Sequence, residues 1–138
     1  MTATRERRIL VCYDGSPAAE RALARTAELA SAVPSHVTVI SVAEPIYQNP
    51  PYTGWADPEE EREHRQLIED ATRMLAEHGV NASSLEPVGQ TADMIGDAAR
   101  TMGADLIVVG ATHCRLLRRL GLGGELAADA PCDVLVVR

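Results

Sequence analysis

Phenylalanine is absent from this chain of 138 residues, and aromatic residues of every kind make up 3% of it. The core must therefore be filled by Ala, Val, Leu and Ile, and the many alanines suit helices seated closely on a sheet. Cysteine is scarce as well. Cys12, Cys114 and Cys132 are odd in number and contain no Cys-x-x-Cys pair, which argues against a disulfide framework and for a reducing compartment. Long apolar runs are missing: none approaches the roughly 20 residues of a membrane-spanning helix. The opening stretch MTATRERRILVCYDG has too short an apolar run for a signal peptide, so a cytoplasmic location is expected. Positive charge is in deficit, with 13 Lys and Arg against 20 Asp and Glu and a net charge of -7. Neither nucleic acid nor an anionic membrane is an expected partner, because both are held by cationic surface. The short group Arg5, Arg7 and Arg8 reads as a solvated flank.

What is present fits one soluble domain over residues 1–138, long enough to bury a core without staples. RILVCYDGS is an apolar run closed by Asp-Gly-Ser, a buried strand ending in a turn. Ser16 and Pro17 then open a helix as N-cap and first helical residue, with Ala19, Ala22, Leu23, Thr26, Ala27 and Ala30 on one small-residue face. HVTVISVAEP is a second strand. Residues 44–57, EPIYQNPPYTGWAD, form a long irregular loop, either a binding loop or a surface excursion.

Asp57-Pro58-Glu59-Glu60 begins the next helix, with acids at the positive end of its dipole. Leu67, Ile68, Ala71, Met74 and Leu75 form its buried stripe, the charges around them read as a solvated face, and Gly79 ends it. SSLEPVG is a weak edge strand interrupted by Pro87. A third helix carries Met94, Ile95, Ala98, Ala99 and Met102 and closes at Gly103. DLIVVG is the fourth strand, followed by a short helix near residues 124–130 and by CDVLVVR as the last strand. Continuous apolar strands alternating with helices specify an α/β fold with a parallel sheet covered on both faces.

Three pieces in this order, ILVCYDGSPAAERALARTAELA, GADLIVVGA and APCDVLVVR, resemble the universal stress protein family over essentially the whole chain. The resemblance implies a five-stranded Rossmann-like sheet of order 3-2-1-4-5, of the adenine nucleotide alpha hydrolase-like kind. That order places a topological switch point between strands 1 and 4, where open α/β sheets take ligands beyond the strands' carboxyl ends. Nucleotide-binding members of the family carry Gly-x2-Gly-x9-Gly followed by Ser or Thr. Glycines let the backbone approach phosphates, and a helix N-terminus supplies free N–H groups and a favourable dipole. In this sequence the positions read Gly110, His113, Gly123 and Gly124. The spacing is intact, yet a histidine replaces the second glycine and the hydroxyl residue is missing. Glu125 then brings negative charge towards a polyphosphate. His113 either obstructs the loop or donates to a phosphate.

By the same resemblance, Asp14 matches the acidic residue of the nucleoside pocket, and Val42 the residue whose backbone meets adenine. Without it, Asp14 is a turn residue and Val42 ordinary strand packing. The expected ligand is ATP or AMP, held weakly, with no metal beyond magnesium accompanying the nucleotide. His113-Cys114 does not amount to a metal or redox site, because Cys132 begins the last strand at the opposite end of the sheet from Cys12. No Gly-x-Ser-x-Gly elbow, P-loop lysine or paired catalytic carboxylates occur. No catalytic residue is assigned, and activity beyond slow ATP hydrolysis is not expected. A regulatory role in the stress response is the leading reading. The alternative is a family member that binds no nucleotide and acts through dimerisation and protein contacts. Under either reading the strand at 133–138, an apolar edge, is expected to form a homodimer.

Overall fold

Among the described residues, each apolar run becomes a strand, and each small-residue or periodic stripe becomes a helix lying on the sheet. The computed structural model describes residues 6–43, 58–89, 91–111 and 130–138. In chain order these form β1 (Arg7–Cys12), α1 (Pro17–Ala32), β2 (Ser35–Ile40), α2 (Pro58–Glu77), β3 (Ala82–Leu85), α3 (Thr91–Met102), β4 (Leu106–Gly110) and β5 (Asp133–Val137). The five strands pair in parallel in the order β3-β2-β1-β4-β5. The expected loop at 44–57, and the expected helix at 124–130, lie outside the described residues.

The two faces of the sheet are sealed by different helices. Ile9, Val11, Val37 and Val39 pack with Ala22, Leu23 and Ala27 of α1 and with Ile68, Ala71 and Leu75 of α2. Leu10, Cys12, Ile40, Ile107 and Val109 point the other way, against Ile95 and Ala99 of α3. Alternation of side chains along each strand produces this division, and burial of each large aliphatic side chain contributes about 1.5–3 kcal/mol. Small residues let α1 approach closely: Ala18, Ala19 and Ala22 are almost wholly buried. Leu67 and Met74 of α2, and Met94, Ala98 and Met102 of α3, are only half-buried. They flank their stripes rather than lead them.

The helix starts follow local rules. Ser16 has extended backbone and its Oγ accepts from the Ala19 N–H at 3.1 Å, with Pro17 next in the chain. Pro58 opens α2 ahead of Glu59, Glu60 and Glu61. β2 and β3 end earlier than their sequences suggest. The ladder between β2 and β3 stops at Ile40 and Leu85, short of the expected 36–45 and 83–89. Pro87 is the reason, since it has no N–H to donate to a ladder. Pairing resumes beyond it as a single bridge between Ala43 and Val88.

Candidate functional site

The carboxyl ends of β1, β2 and β4 meet at the switch point, and three expected site residues are described there: Asp14, Val42 and Gly110. β1 is the shortest-reaching of the three. Its last ladder contact is the Tyr13 N–H donating to the Ile40 carbonyl at 3.0 Å. β2 continues past that point along β3, with the Ser41 N–H donating to Leu85 O at 3.1 Å and the Ala43 N–H to Pro87 O at 3.0 Å. Backbone donors and acceptors alternate between the two edges of an extended segment. Ser41 and Ala43 face β3, so the backbone of Val42 faces the opposite side, towards the space beyond β1. The Val42 side chain packs on the α3 face of the core. Strand packing and a backbone edge offered to a ligand are thus compatible at this residue.

Asp14 is exposed, and its Oδ1 accepts from the Ser16 N–H at 3.0 Å. This is a turn closed by the side chain of an Asp, which then hands the chain to the Ser16 cap. Gly15 between them has φ +81, a left-handed conformation that side chains resist. The turn role of Asp14 is therefore real, and one carboxylate oxygen is engaged in it. The surroundings are acidic. Burial, followed by the carboxylates of Glu20, Asp70 and Asp14, raises the pKa of the Tyr13 phenol. A carboxylate in such a place suits the hydroxyl donors of a sugar better than it suits phosphate.

Gly110 has a reason the sequence did not reveal. A Cβ there would lie 2.8 Å from both the Ala18 carbonyl carbon and the Ala19 nitrogen. The first turn of α1 presses on the end of β4, and only glycine fits. Approach to a phosphate is not needed to explain it. His113, Cys114, Gly123, Gly124 and Glu125 lie outside the described residues.

Sequence reasoning missed one cluster at this edge. His64, read as part of a solvated face, turns towards the sheet with its side chain 19% exposed. Its Nδ1 is 2.5 Å from Ser41 Oγ and its Nε2 is 3.6 Å from Glu60 Oε1. The i, i+4 spacing of Glu60 and His64 was legible; the partnership with Ser41 was not. Cys12 is buried, and its thiol pKa is pushed far up by desolvation and then by Asp14. Cys132 is half-buried at the opposite end of the strands, and both thiols are free. Among the described residues no group of three or more His, Cys, Asp or Glu is placed to hold a metal ion. No helix among them is long and apolar enough to cross a membrane.

The sequence profile of the universal stress protein family matches residues 6–138. This chain belongs to that family. A family member from Thermus aquaticus, the universal stress protein in the QAH/OAS sulfhydrylase 3' region, is 36% identical over 138 residues, covering 94% of this chain and 97% of its own. The crystal structure of a family protein from Burkholderia pseudomallei is 30% identical, with a TM-score of 0.72 and 94% of each chain covered. The fold is also that of the Archaeoglobus fulgidus universal stress protein solved in complex with dAMP. That protein is 23% identical, with a TM-score of 0.77 over 96% of this chain and 98% of its own. The sheet order implied by the family resemblance is the order observed.

Proposed function

We propose that this family member binds an adenine nucleotide, ATP or AMP, at the switch point between β1 and β4, and binds it weakly. The observation that carries the reading is the Val42 backbone turned towards the space beyond β1, at the same end of the sheet as the Asp14 carboxylate. A strand edge there can pair with an adenine ring while the carboxylate accepts from ribose hydroxyls. Proteins of the same fold have been solved with dAMP, cAMP and AMP, which supports the class of ligand. The weakness follows from the sequence of the loop. A hydrogen bond to a charged group is worth roughly 1.5–3 kcal/mol, so the hydroxyl missing at Gly124 costs about tenfold or more in affinity. His113 takes room, and Glu125 repels the phosphates. Magnesium enters only with the nucleotide.

Release of any bound nucleotide by denaturation, followed by chromatography, tests occupancy. Calorimetry then tests the cause of the weakness. Changing His113 to Gly, Gly124 to Ser and Glu125 to Val together is expected to raise ATP affinity by at least about tenfold. Asp14→Ala in that background lowers it again. If the triple variant stays folded and binds no ATP, the second reading stands, a protein that acts through dimerisation and protein contacts. That reading draws on the same three loop residues.

In either case we assign the biological role to regulation of the stress response, in the cytoplasm and as a homodimer. β5 is bonded on one side to β4, and Val136 on it is 43% exposed. A second copy adding its own β5 would cover this edge. Sedimentation at micromolar concentration should show a dimer, and Val136→Pro should dissociate it. A wild-type monomer removes the proposal.

A further inference from the structure

Thr26, Thr38 and Ser41 are the buried polar side chains among the described residues, and two of them have partners. Thr26 Oγ1 donates to the Ala22 carbonyl at 2.8 Å, and Ser41 Oγ meets the His64 ring. Thr38 of β2 is 5% exposed, and its hydroxyl has no hydrogen bond among the described residues. Buried hydroxyls are nearly always bonded, to protein or to something else. The partner of Thr38 is therefore to be sought in the space that it borders.

That space is a groove beside α3. Side chains alternate along a strand, so Thr38 shares the face of Ile40, which packs with α3. Thr38 is paired with Ser83 and Ile40 with Leu85, which puts Ser83 and Leu85 of the outermost strand on that face too. Leu85 is 40% exposed. The facing wall is a stripe of α3 at helical spacing, Met94, Asp97, Ala98, Thr101 and Met102, about 12 Å long at the rise of a helix. Between the walls lies a cavity of about 560 Å³, and Thr38 is the one buried residue that lines it. Small-molecule sites have volumes of roughly 300–1,000 Å³ and the same make-up, apolar walls with a few polar groups.

The charge of the lining selects among ligands. Asp97 and Glu86 line the groove, and no Lys, Arg or His does. Arg100 offsets Asp97 in an exposed pair at 3.2 Å, whereas Glu86 has no ion pair among the described residues. An anion is repelled here, and a cation is not.

We propose that this groove is a second ligand site, separate from the switch point, for a small molecule with an apolar body and an amine. The body lies along Leu85, Met94 and Met102, and an amine N–H donates to Thr38 Oγ1. The site stands whether or not a nucleotide binds beyond β1 and β4.

Naphthylethylamine, naphthylethanol and naphthylacetate test it, because they share one apolar body and are cationic, neutral and anionic at neutral pH. In amide-resolved NMR titrations the amine should move resonances of β3 and α3, and bind at least about tenfold more tightly than the acid. Thr38→Val keeps the shape and removes the hydroxyl. It should weaken the amine about threefold to tenfold without lowering the urea midpoint of the free protein; a hydroxyl with a structural role would lower that midpoint. Glu86→Gln with Asp97→Asn should remove the preference for amine over acid. Thr101→Trp, which fills the groove from an exposed position, should abolish binding of all three with the fold intact.

An amine that moves no resonance of β3 or α3, or an acid that binds as tightly, overturns the proposal. So does an amine affinity unchanged by Thr38→Val. Displacement of the amine by AMP overturns it as well, since the groove would then be part of the nucleotide site.

Discussion

Gly15 and Gly110 stand at the carboxyl ends of neighbouring central strands, on either side of the switch point, and they are glycines for different reasons. Gly15 has φ +81, and an added Cβ would meet only the flexible end of Leu67, at 2.8 Å. Gly110 has no unusual φ, but an added Cβ would meet the backbone of Ala18 and Ala19 at 2.8 Å. One glycine is required by its own conformation and the other by its neighbour. A flexible side chain can move aside; the first turn of a capped helix cannot do so without losing its seat on the sheet.

Gly110→Ala should therefore have the largest effect. Forcing a methyl group against backbone costs about 1–3 kcal/mol, and urea unfolding should place this variant at the upper end. A loss below about 0.5 kcal/mol, the range of ordinary surface substitutions, would mean that α1 shifts easily and that the comparison is unsound. Gly15→Ala should cost about 1–2 kcal/mol through the left-handed backbone. Repeating it in a Leu67→Ala background separates the causes. If conformation dominates, the cost of Gly15→Ala is nearly the same in both backgrounds; if contact dominates, it largely disappears.

Ser16→Ala tests the turn between these glycines from its other side. It removes the Oγ that accepts from Ala19, with an expected loss of about 1 kcal/mol. Because Asp14 closes the same turn on the Ser16 backbone, Asp14→Ala and Ser16→Ala should not be additive. A double-mutant cycle by urea unfolding would show the coupling.

The smallest effect concerns Cys12, which ends β1 just before this turn. Burial raises its pKa in the folded state above the ordinary 9.0, so above that value the unfolded chain releases a proton that the native one keeps. Stability owed to this residue is intact below about pH 9 and declines as pH rises beyond it. The urea midpoint of wild type should fall more steeply than that of Cys12→Ala in that alkaline range. Thiol labelling at neutral pH should reach Cys132, which is half-buried, well before Cys12.

Much of this architecture was legible because the signals are local. Ser16-Pro17 starts α1 wherever it is placed, since a cap and a fixed φ act within one turn. The apolar runs ILVC and LIVVG cannot be left in water. The stripe Ile68, Ala71 and Leu75 has the helix period, and those three residues are the ones buried. The sheet order was not legible from spacing; it came with the family resemblance, because strand pairing is decided between segments far apart in the chain. Pro87 announced an edge strand, but not that pairing would resume after it.

The sequence by itself therefore determined the described helices and strands to within their ends, the Ser16 cap and the centres of the inward faces, all of which depend on a residue and its near neighbours in the chain, and the family through the match of whole segments. It also contained the altered loop from Gly110 to Glu125, as a departure from a motif. Only the tertiary structure decided what Gly110 touches, which way the Val42 backbone turns and whether Asp14 closes a turn. It alone brought His64 to Ser41, 23 positions away along the chain. These are distances between elements, set by how α1 and α2 settle on the sheet. A histidine on a charged helix looks the same in sequence whether it meets water or a buried hydroxyl.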